Sequence, residues 1–300
     1  MIASKRQTVD YQILTASGWE DYALLDSGNG MRLEQYGPYR LVRPAAQAMW
    51  RAALPQEEWQ TADAIFQPSG GESGGQWRYR KTPLPEFWQM SYRHLRFRVF
   101  TGASRHVGVF VEQSPQWDWI METVQSAGQP LQVLNLFAYS GLATLAAAAA
   151  GAKVTHLDAS KKSVQLARQN QSLSGLAEKP IRWIVDDALK FLKREIRRGV
   201  RYDGIILDPP KFGRGPKGEV WEFFDLLPNL LELCRQALSS RPRFFVLTAY
   251  AIQASALSLF YMVQDILSLR GGELSCGELT LAEKSAGRLL PMAIFTRWRA

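Results

Sequence analysis

Apolar and polar residues follow two different rhythms along this chain. From about Leu131 onward, short apolar runs separated by longer amphipathic ones predict strands over residues 131–137, 153–158, 181–185, 202–208 and 243–248. Apart from Gly204 these runs hold neither glycine nor proline, as expected of strands buried on both faces of a sheet. Between them, residues 141–151, 160–174, 187–198 and 221–239 have the length of crossover helices, and 253–270 follows the fifth strand in the same way. Ser160 and Asp187 stand where helix N-caps belong. Such alternation predicts an α/β fold, a mostly parallel sheet with right-handed crossovers and helices on both faces. After Gly271 and Gly272, the runs 273–282 and 290–298 follow each other without a helix and predict an antiparallel hairpin.

The first 112 residues are aromatic, rich in turns and poor in long helical periodicity, which predicts a separate β-rich module over 1–112 ahead of an α/β domain over 113–300. The stretch Asp26-Ser27-Gly28-Asn29-Gly30 reads as a turn, followed by strands over 31–36 and 39–42. Four glycines and two serines within 67–75 predict a mobile loop.

Composition narrows the function classes. At 300 residues, with 46% hydrophobic and 21% charged residues, the chain has ample material for a buried core. Its start lacks the pattern of a secretory signal, and its longest apolar stretch, 142–150, is far short of a membrane helix, so a cytoplasmic location is expected. The two cysteines, Cys234 and Cys276, are far apart, and the three histidines show no ligand spacing; neither a disulfide framework nor a protein-bound metal is expected. A formal net charge of +8 suits a polyanionic partner.

Candidate chemistry gathers at the predicted strand ends. Residues 133–141 run from a strand through a short loop into a helix, where ligands of open α/β sheets bind. With only Gly141 present, the dinucleotide fingerprint is missing; this counts against a pyrophosphate and suits a nucleoside carrying an amino acid. Asp158, ending the second strand, is placed to accept both ribose hydroxyls. Either Asp186 or Asp187, after the third strand, can accept an adenine amino group, and Asp187 can also cap the helix it precedes. The sharpest signal is Asp208-Pro209-Pro210-Lys211-Phe212. Two prolines remove two N–H donors and leave a rigid segment whose carbonyls face the pocket to receive an amino group. Phe212 can stack on a planar base.

In these residues the chain resembles the class I S-adenosylmethionine-dependent methyltransferases, and especially the bacterial large-subunit ribosomal RNA methyltransferase group with an LDPPKF motif. The matching segments are 133–141, Asp158-Ala159-Ser160, 186–192 and 207–212, in family order, within a stretch from Arg105 to Trp298. The resemblance implies a Rossmann-like, seven-stranded sheet with a terminal antiparallel hairpin. It implies that S-adenosylmethionine is lined by Asn135, Phe137, Tyr139 and Gly141, that Asp158 holds its ribose, and that Asp187 contacts its adenine. Residues 108–113 resemble the strand preceding the first motif, which places Gln113 beside the cofactor, and Asp208 borders both cofactor and substrate.

Two departures sharpen the reading. Members that methylate carbon 5 of cytosine need a cysteine nucleophile near the end of the fifth strand, where this chain reads Thr248-Ala249-Tyr250-Ala251. Direct transfer to a nitrogen is therefore expected, with Asp208 and the Pro209 carbonyl orienting it and Lys211 holding a phosphate or carbonyl of the substrate. The first 112 residues do not resemble the RNA-binding PUA module of many group members. An RNA substrate finds support in nine basic residues, Lys190, Lys193, Arg194, Arg197, Arg198, Arg201, Lys211, Arg214 and Lys217, against the three acidic residues between them, Glu195, Asp203 and Asp208. Arg78, Arg80, Arg93, Arg96 and Arg98 in the first module add to it. A protein or small-molecule N-methyltransferase, or a non-catalytic RNA-binding protein keeping the fold, are the alternatives.

Overall fold

The computed structural model describes residues 8–69, 74–267 and 271–300. The first part of the chain forms β1 (Asp10–Thr15), β2 (Tyr22–Gly28), β3 (Met31–Tyr36), β4 (Tyr39–Pro44), a one-turn α1 (Gln56–Trp59), β5 (Ala64–Pro68), β6 (Gly75–Tyr79), β7 (Trp88–Tyr92) and β8 (Leu95–Val99). Then follow α2 (Ser114–Ser126), β9 (Gln132–Leu136), α3 (Leu142–Ala149), β10 (Lys153–Asp158), α4 (Lys161–Leu173), β11 (Ile181–Val185), α5 (Ala188–Arg197) and β12 (Gly204–Leu207). The chain ends with β13 (Phe212–Arg214), β14 (Val220–Glu222), α6 (Phe223–Ala237), β15 (Phe244–Ala249), α7 (Ala256–Leu267), β16 (Glu273–Ala282) and β17 (Leu289–Arg299).

The main sheet has the order β1-β16-β17-β15-β12-β9-β10-β11. It holds the five expected parallel strands and the expected terminal hairpin, and is the expected Rossmann-like, seven-stranded sheet with one addition. The eighth strand is β1, which joins the outer edge in parallel with β16, Asp10 facing Ser275 and Thr15 facing Thr280. Its glycine exception also has a reason: Gly204 faces Phe244 across the β12–β15 ladder, and a Cβ there would meet the Phe244 ring at 2.2 Å.

The region ahead of α2 is β-rich, with a five-stranded sheet in the order β2-β3-β4-β5-β6 and a two-stranded ribbon β7-β8. The turn between β2 and β3 is tighter than expected. It consists of Asn29 and Gly30, both left-handed (φ 54° and 76°), as a two-residue hairpin on a right-twisted pair requires. Asp26 lies instead within β2, fully buried, where it accepts the backbone N–H groups of Ala53 and Leu54 and the Trp59 indole. The expected loop over 67–75 begins and ends in strands that pair Pro68 with Gly75, and its residues 70–73 lie outside the described residues.

Residues 108–113 are not a strand. Gly108 is left-handed (φ 94°), Val111–Gln113 form a 3-10 turn, and Pro115 opens α2, where its missing N–H costs nothing. Trp117, Ile120, Met121 and Val124 then recur on the buried side of that helix. The helix expected from Trp221 begins two residues later, because Val220–Glu222 pair with Phe212–Arg214 in a small hairpin. The last expected helix is observed over Ala256–Leu267, and residues 268–270 lie outside the described residues.

One hydrophobic core joins the first region to the main sheet: Leu24, Tyr36, Met90 and Phe97 pack with Trp117 and Met121 of α2, Leu142 and Leu145 of α3, and Leu281 and Leu290 of the terminal hairpin. Buried inside it, Glu34 takes both Arg43 and Arg32 as partners, with Tyr22 and Tyr36 donating to the same carboxylate. A second core, around Leu136, Phe191, Leu207 and Leu231, sits on the sheet's opposite face under α5 and α6.

Candidate active site

The sheet's switch point lies between β9 and β12, which are neighbours although far apart in sequence. Their ladder ends at the pair Leu136 and Leu207, so Phe137 and Asp208 are the first residues beyond the carboxyl ends of adjacent strands. The loop after β9 is contorted: Phe137 (φ 56°), Tyr139 (φ 46°) and Gly141 (φ 84°) are all left-handed. For a non-glycine residue that conformation costs about 1–2 kcal/mol, and such strain concentrates at functional sites. At Gly141 no larger residue fits, because a Cβ would lie 2.8 Å from the Ala167 methyl.

A cavity opens between this loop and α2. Of the residues expected from sequence, Gln113, Asn135, Phe137, Tyr139 and Asp208 line it together, and Gly141 opens α3 beside it. Asn135 is buried and its amide donates to the Thr144 hydroxyl at 2.9 Å, which in turn lies 3.0 Å from Nδ1 of the fully buried His156. Burial pushes the His156 imidazole down to about 3, so it stays neutral, and the Asn135 amide is fixed through Thr144.

Asp158, at the end of β10, is not in the cavity wall but just behind the loop. Its Oδ2 accepts the Tyr139 N–H and its Oδ1 the Ser160 N–H, each at 2.8 Å. The carboxylate thus shapes the loop, and each oxygen keeps a lone pair for a hydroxyl. The cap of α4 is supplied separately, by Ser160 accepting from Ser163 N–H. The two aspartates after β11 differ. Asp186 is neutralised, with Arg194 donating to Oδ2 at 2.7 Å and the Asp187 N–H to Oδ1 at 2.9 Å. Asp187 caps α5 through Oδ1, which accepts the Lys190 N–H at 2.9 Å.

In the segment after β12, the expectation that the proline carbonyls all face the pocket needs correction. The Pro210 carbonyl accepts the Trp221 indole N–H at 2.6 Å, and the Lys211 carbonyl accepts the Phe223 N–H at 3.0 Å. Pro209 is buried, whereas Pro210, Lys211 and Phe212 are exposed, Phe212 by 51% on the outer face of the β13–β14 hairpin.

Asp208 is the electrostatic oddity of the site. Burial first, then the nearby Glu112 and Asp158 carboxylates, push it up to about 8, although the Gln113 amide donates to its Oδ2 at 3.3 Å. Glu112 and Asp158 are raised as well, both mainly by burial. Asp208 in the cavity wall, with Glu112 and Asp158 close enough to raise it further, forms a site short of positive charge. A cationic ligand suits that set better than a diphosphate does.

Sequence reasoning missed several neighbours. Phe110, Gln116 and Trp117 line the cavity, and the Phe110 ring meets those of Tyr139 and Tyr250 at 5.7 and 5.1 Å. Burial, then Glu112 and Asp208, hold the Tyr250 phenol well above its usual range. Phe110 falls in the stretch resembling the segment before the first motif, whereas no motif marks Gln116 or Trp117.

Both cysteines are buried away from this cavity, Cys234 in α6 and Cys276 in β16, and burial raises both thiols. Cys234→Ala and Cys276→Ala are expected to keep turnover within about twofold of the unaltered protein, since neither thiol can serve as a nucleophile. Initial rates with labelled cofactor check this. Among the described residues no helix is long and apolar enough to cross a membrane, and no group of three His, Cys, Asp or Glu is placed to hold a metal ion.

Known proteins carry the same architecture. The crystal structure of an S-adenosylmethionine-dependent methyltransferase from Agrobacterium tumefaciens is 49% identical and superposes with a TM-score of 0.91, covering 98% of this chain and 97% of that one. Ribosomal RNA large subunit methyltransferase K/L of Pseudomonas paraeruginosa is 27% identical over 244 residues, 79% of this chain and 32% of its own length. Ribosomal RNA large subunit methyltransferase I of Klebsiella pneumoniae is 38% identical over 82 residues, 27% of this chain and 20% of its own length. The chain thus spans about a third or less of these curated relatives. The profile of the S-adenosylmethionine-dependent methyltransferases matches residues 36–237, and with the strand-end cavity and its carboxyls in place, the chain belongs to that family and is an enzyme that uses S-adenosylmethionine.

Proposed function

We propose that this enzyme methylates a nitrogen of a base in RNA, with ribosomal RNA, named for its relatives, as the substrate. The observation that carries the reading is Asp208, a carboxyl raised to about 8 at the strand end, with the Pro209 carbonyl next to it and the exposed Phe212 ring four residues on.

Bound S-adenosylmethionine supplies an electrophilic methyl group on a sulfonium. Gln113, Asn135, Phe137 and Tyr139 would line its place with Gly141 beside them at the start of α3, Asp158 would receive the ribose hydroxyls, and Asp187 would receive the adenine amino group, Asp186 being committed to Arg194. Asp208 and the Pro209 carbonyl accept the N–H groups of the substrate amine, orient its lone pair toward the methyl carbon and stabilise the charge it develops. In its ionised form, which gains population as pH rises toward about 8, Asp208 takes the proton that the methylated nitrogen loses. Such positioning is worth about 7–11 kcal/mol of barrier. Phe212 stacks on the base, and Lys211 beside it holds a phosphate or carbonyl.

Phosphate tracking rests on fewer cations than the sequence count gives. Lys190 pairs with Glu219, Arg194 with Asp186 and Arg198 with Glu195, while Arg93 pairs with Asp118 and Arg98 lies over the Phe87 ring. Lys193, Arg197, Arg201, Arg214 and Lys217 are exposed, as are Arg78 on β6 and Arg80 just after it. In this reading residues 1–112 recognise the substrate, residues 113–300 carry the chemistry, and the enzyme works in the cytoplasm.

The test is transfer of labelled methyl groups to total RNA and total protein from cells lacking the gene. Label in an amino nitrogen of an RNA base is the expected outcome, and label in protein alone would overturn the reading. Affinity for ribosomal RNA fragments is expected to fall about tenfold or more between roughly 50 and 200 mM salt, as counterion release from a few phosphates requires.

A further inference from the structure

In-line methyl transfer needs the cofactor loop and the acceptor segment in fixed register, yet no ladder joins the two to each other beyond the strand ends. The β9–β12 ladder stops at Leu136 and Leu207. Beyond it Phe137 turns left-handed, and Pro209 and Pro210 have no amide hydrogens with which to continue a ladder. The backbone ties each segment to its own neighbours, Ala138 N–H donating to the Leu157 carbonyl and Phe223 N–H to the Lys211 carbonyl, so a direct link between the two is left to side chains.

Trp221 touches both segments. It is 5% exposed and comes from β14, after the acceptor segment in sequence. Its indole N–H donates to the Pro210 carbonyl at 2.6 Å, and its ring packs on Phe137 with centroids 5.0 Å apart at 57°. The β13–β14 register puts it there by pairing it with Gly213, where a Cβ would stand 3.3 Å from Pro210 Cγ and 3.8 Å from Trp221 Cβ. One residue inside the hairpin face thus meets the loop that holds the methyl donor and the carbonyl that follows the acceptor residues. On the outer face of the same hairpin, Phe212 and Val220 are each 51% exposed.

We infer that Trp221 is a positioning residue of methyl transfer, joining the cofactor loop to the acceptor segment through the Phe137 ring on one side and the Pro210 carbonyl on the other. Its two contacts are separable. Trp221→Phe keeps an aromatic ring against Phe137 and deletes the donor to Pro210, whereas Trp221→Leu deletes both.

The experiment combines calorimetric affinity for S-adenosylhomocysteine, melting temperature and initial rates of methyl transfer to unmodified total RNA, all on the full chain. Trp221→Phe is expected to bind S-adenosylhomocysteine within about twofold of the unaltered protein while kcat falls about tenfold, since a displacement of about 1 Å at the acceptor can cost up to about a hundredfold. Trp221→Leu and Phe137→Leu are each expected to weaken that binding about tenfold, and the double variant no further than the weaker single one, because residues in contact couple. Additive losses in the cycle, or an unchanged kcat in Trp221→Phe, would overturn the inference. A lowered melting temperature without these effects means a structural role only, and overturns it too. Should total RNA take up no label from the unaltered enzyme, the RNA reading fails, and the binding cycle still decides the role of Trp221.

Discussion

Asp208→Asn is expected to lower kcat about a thousandfold, within the range that loss of a proton acceptor and charge stabiliser produces. The substitution keeps the size of the side chain and an oxygen to accept the Gln113 amide, so the loss is chemical rather than architectural. Stability moves the other way. The folded enzyme holds the Asp208 proton to about pH 8, against an ordinary value of 3.8, so between those limits the folded state binds more protons than the unfolded one. The stabilisation from the protonated form is complete below the unfolded value and is lost as pH rises through the folded one. At pH 8.5 the charged Asp208 therefore costs stability that asparagine does not. The variant is expected to melt about 2–4 °C higher for each roughly 1 kcal/mol relieved, and the gap should close near pH 4. Melting curves at the two pH values, beside single-turnover rates, check both halves. Equal melting at high pH would mean that Asp208 is solvated, and a kcat within tenfold would remove it from the chemistry.

Asp158→Asn is expected to weaken S-adenosylmethionine about a hundredfold, because charge-assisted hydrogen bonds contribute about 1.5–3 kcal/mol each and tenfold in affinity is about 1.4 kcal/mol. The loss has two sources. The ribose hydroxyls exchange a carboxylate for a neutral amide. One of the backbone donors, Tyr139 or Ser160, meets an NH2 group where it had an oxygen, so the strained loop loses an anchor as well. Calorimetry with the cofactor and with its demethylated product reads this directly. Unchanged affinity would mean that the ribose lies elsewhere.

The parallel strands β9, β10, β11, β12 and β15 were legible because a strand buried on both faces writes itself as an apolar run. The site was legible for a related reason: Asn135, Asp158 and Asp208 sit at or near the ends of such strands, and topology gathers strand ends. What was not legible depends on packing between distant segments. β1 leaves Tyr11 and Ile13 exposed at the sheet edge and carries no clean alternation. Val109, Phe110 and Val111 are as apolar as a strand, but left-handed Gly108 before them and Pro115 after them turn the chain into α2. Trp221 reads as the start of a helix, and only the β13–β14 pairing reveals it against Phe137. The charge count overstated the basic face because two neutralising partners, Asp186 and Glu219, lie outside the counted stretch.

The edge strand has a consequence for how the molecule is made. Asp10 finds its partner at Ser275, so the ladder between β1 and β16 closes a loop of nearly the entire chain. During synthesis, β2 to β8 can pair as they emerge, while β1 must wait until β16 has left the ribosome. Closing so long a loop adds little entropy over a shorter one, since the cost grows only with the logarithm of length, but it raises contact order and delays the final step. Until then β16 presents an open edge of unpaired backbone groups, the kind of edge with which an extended peptide pairs.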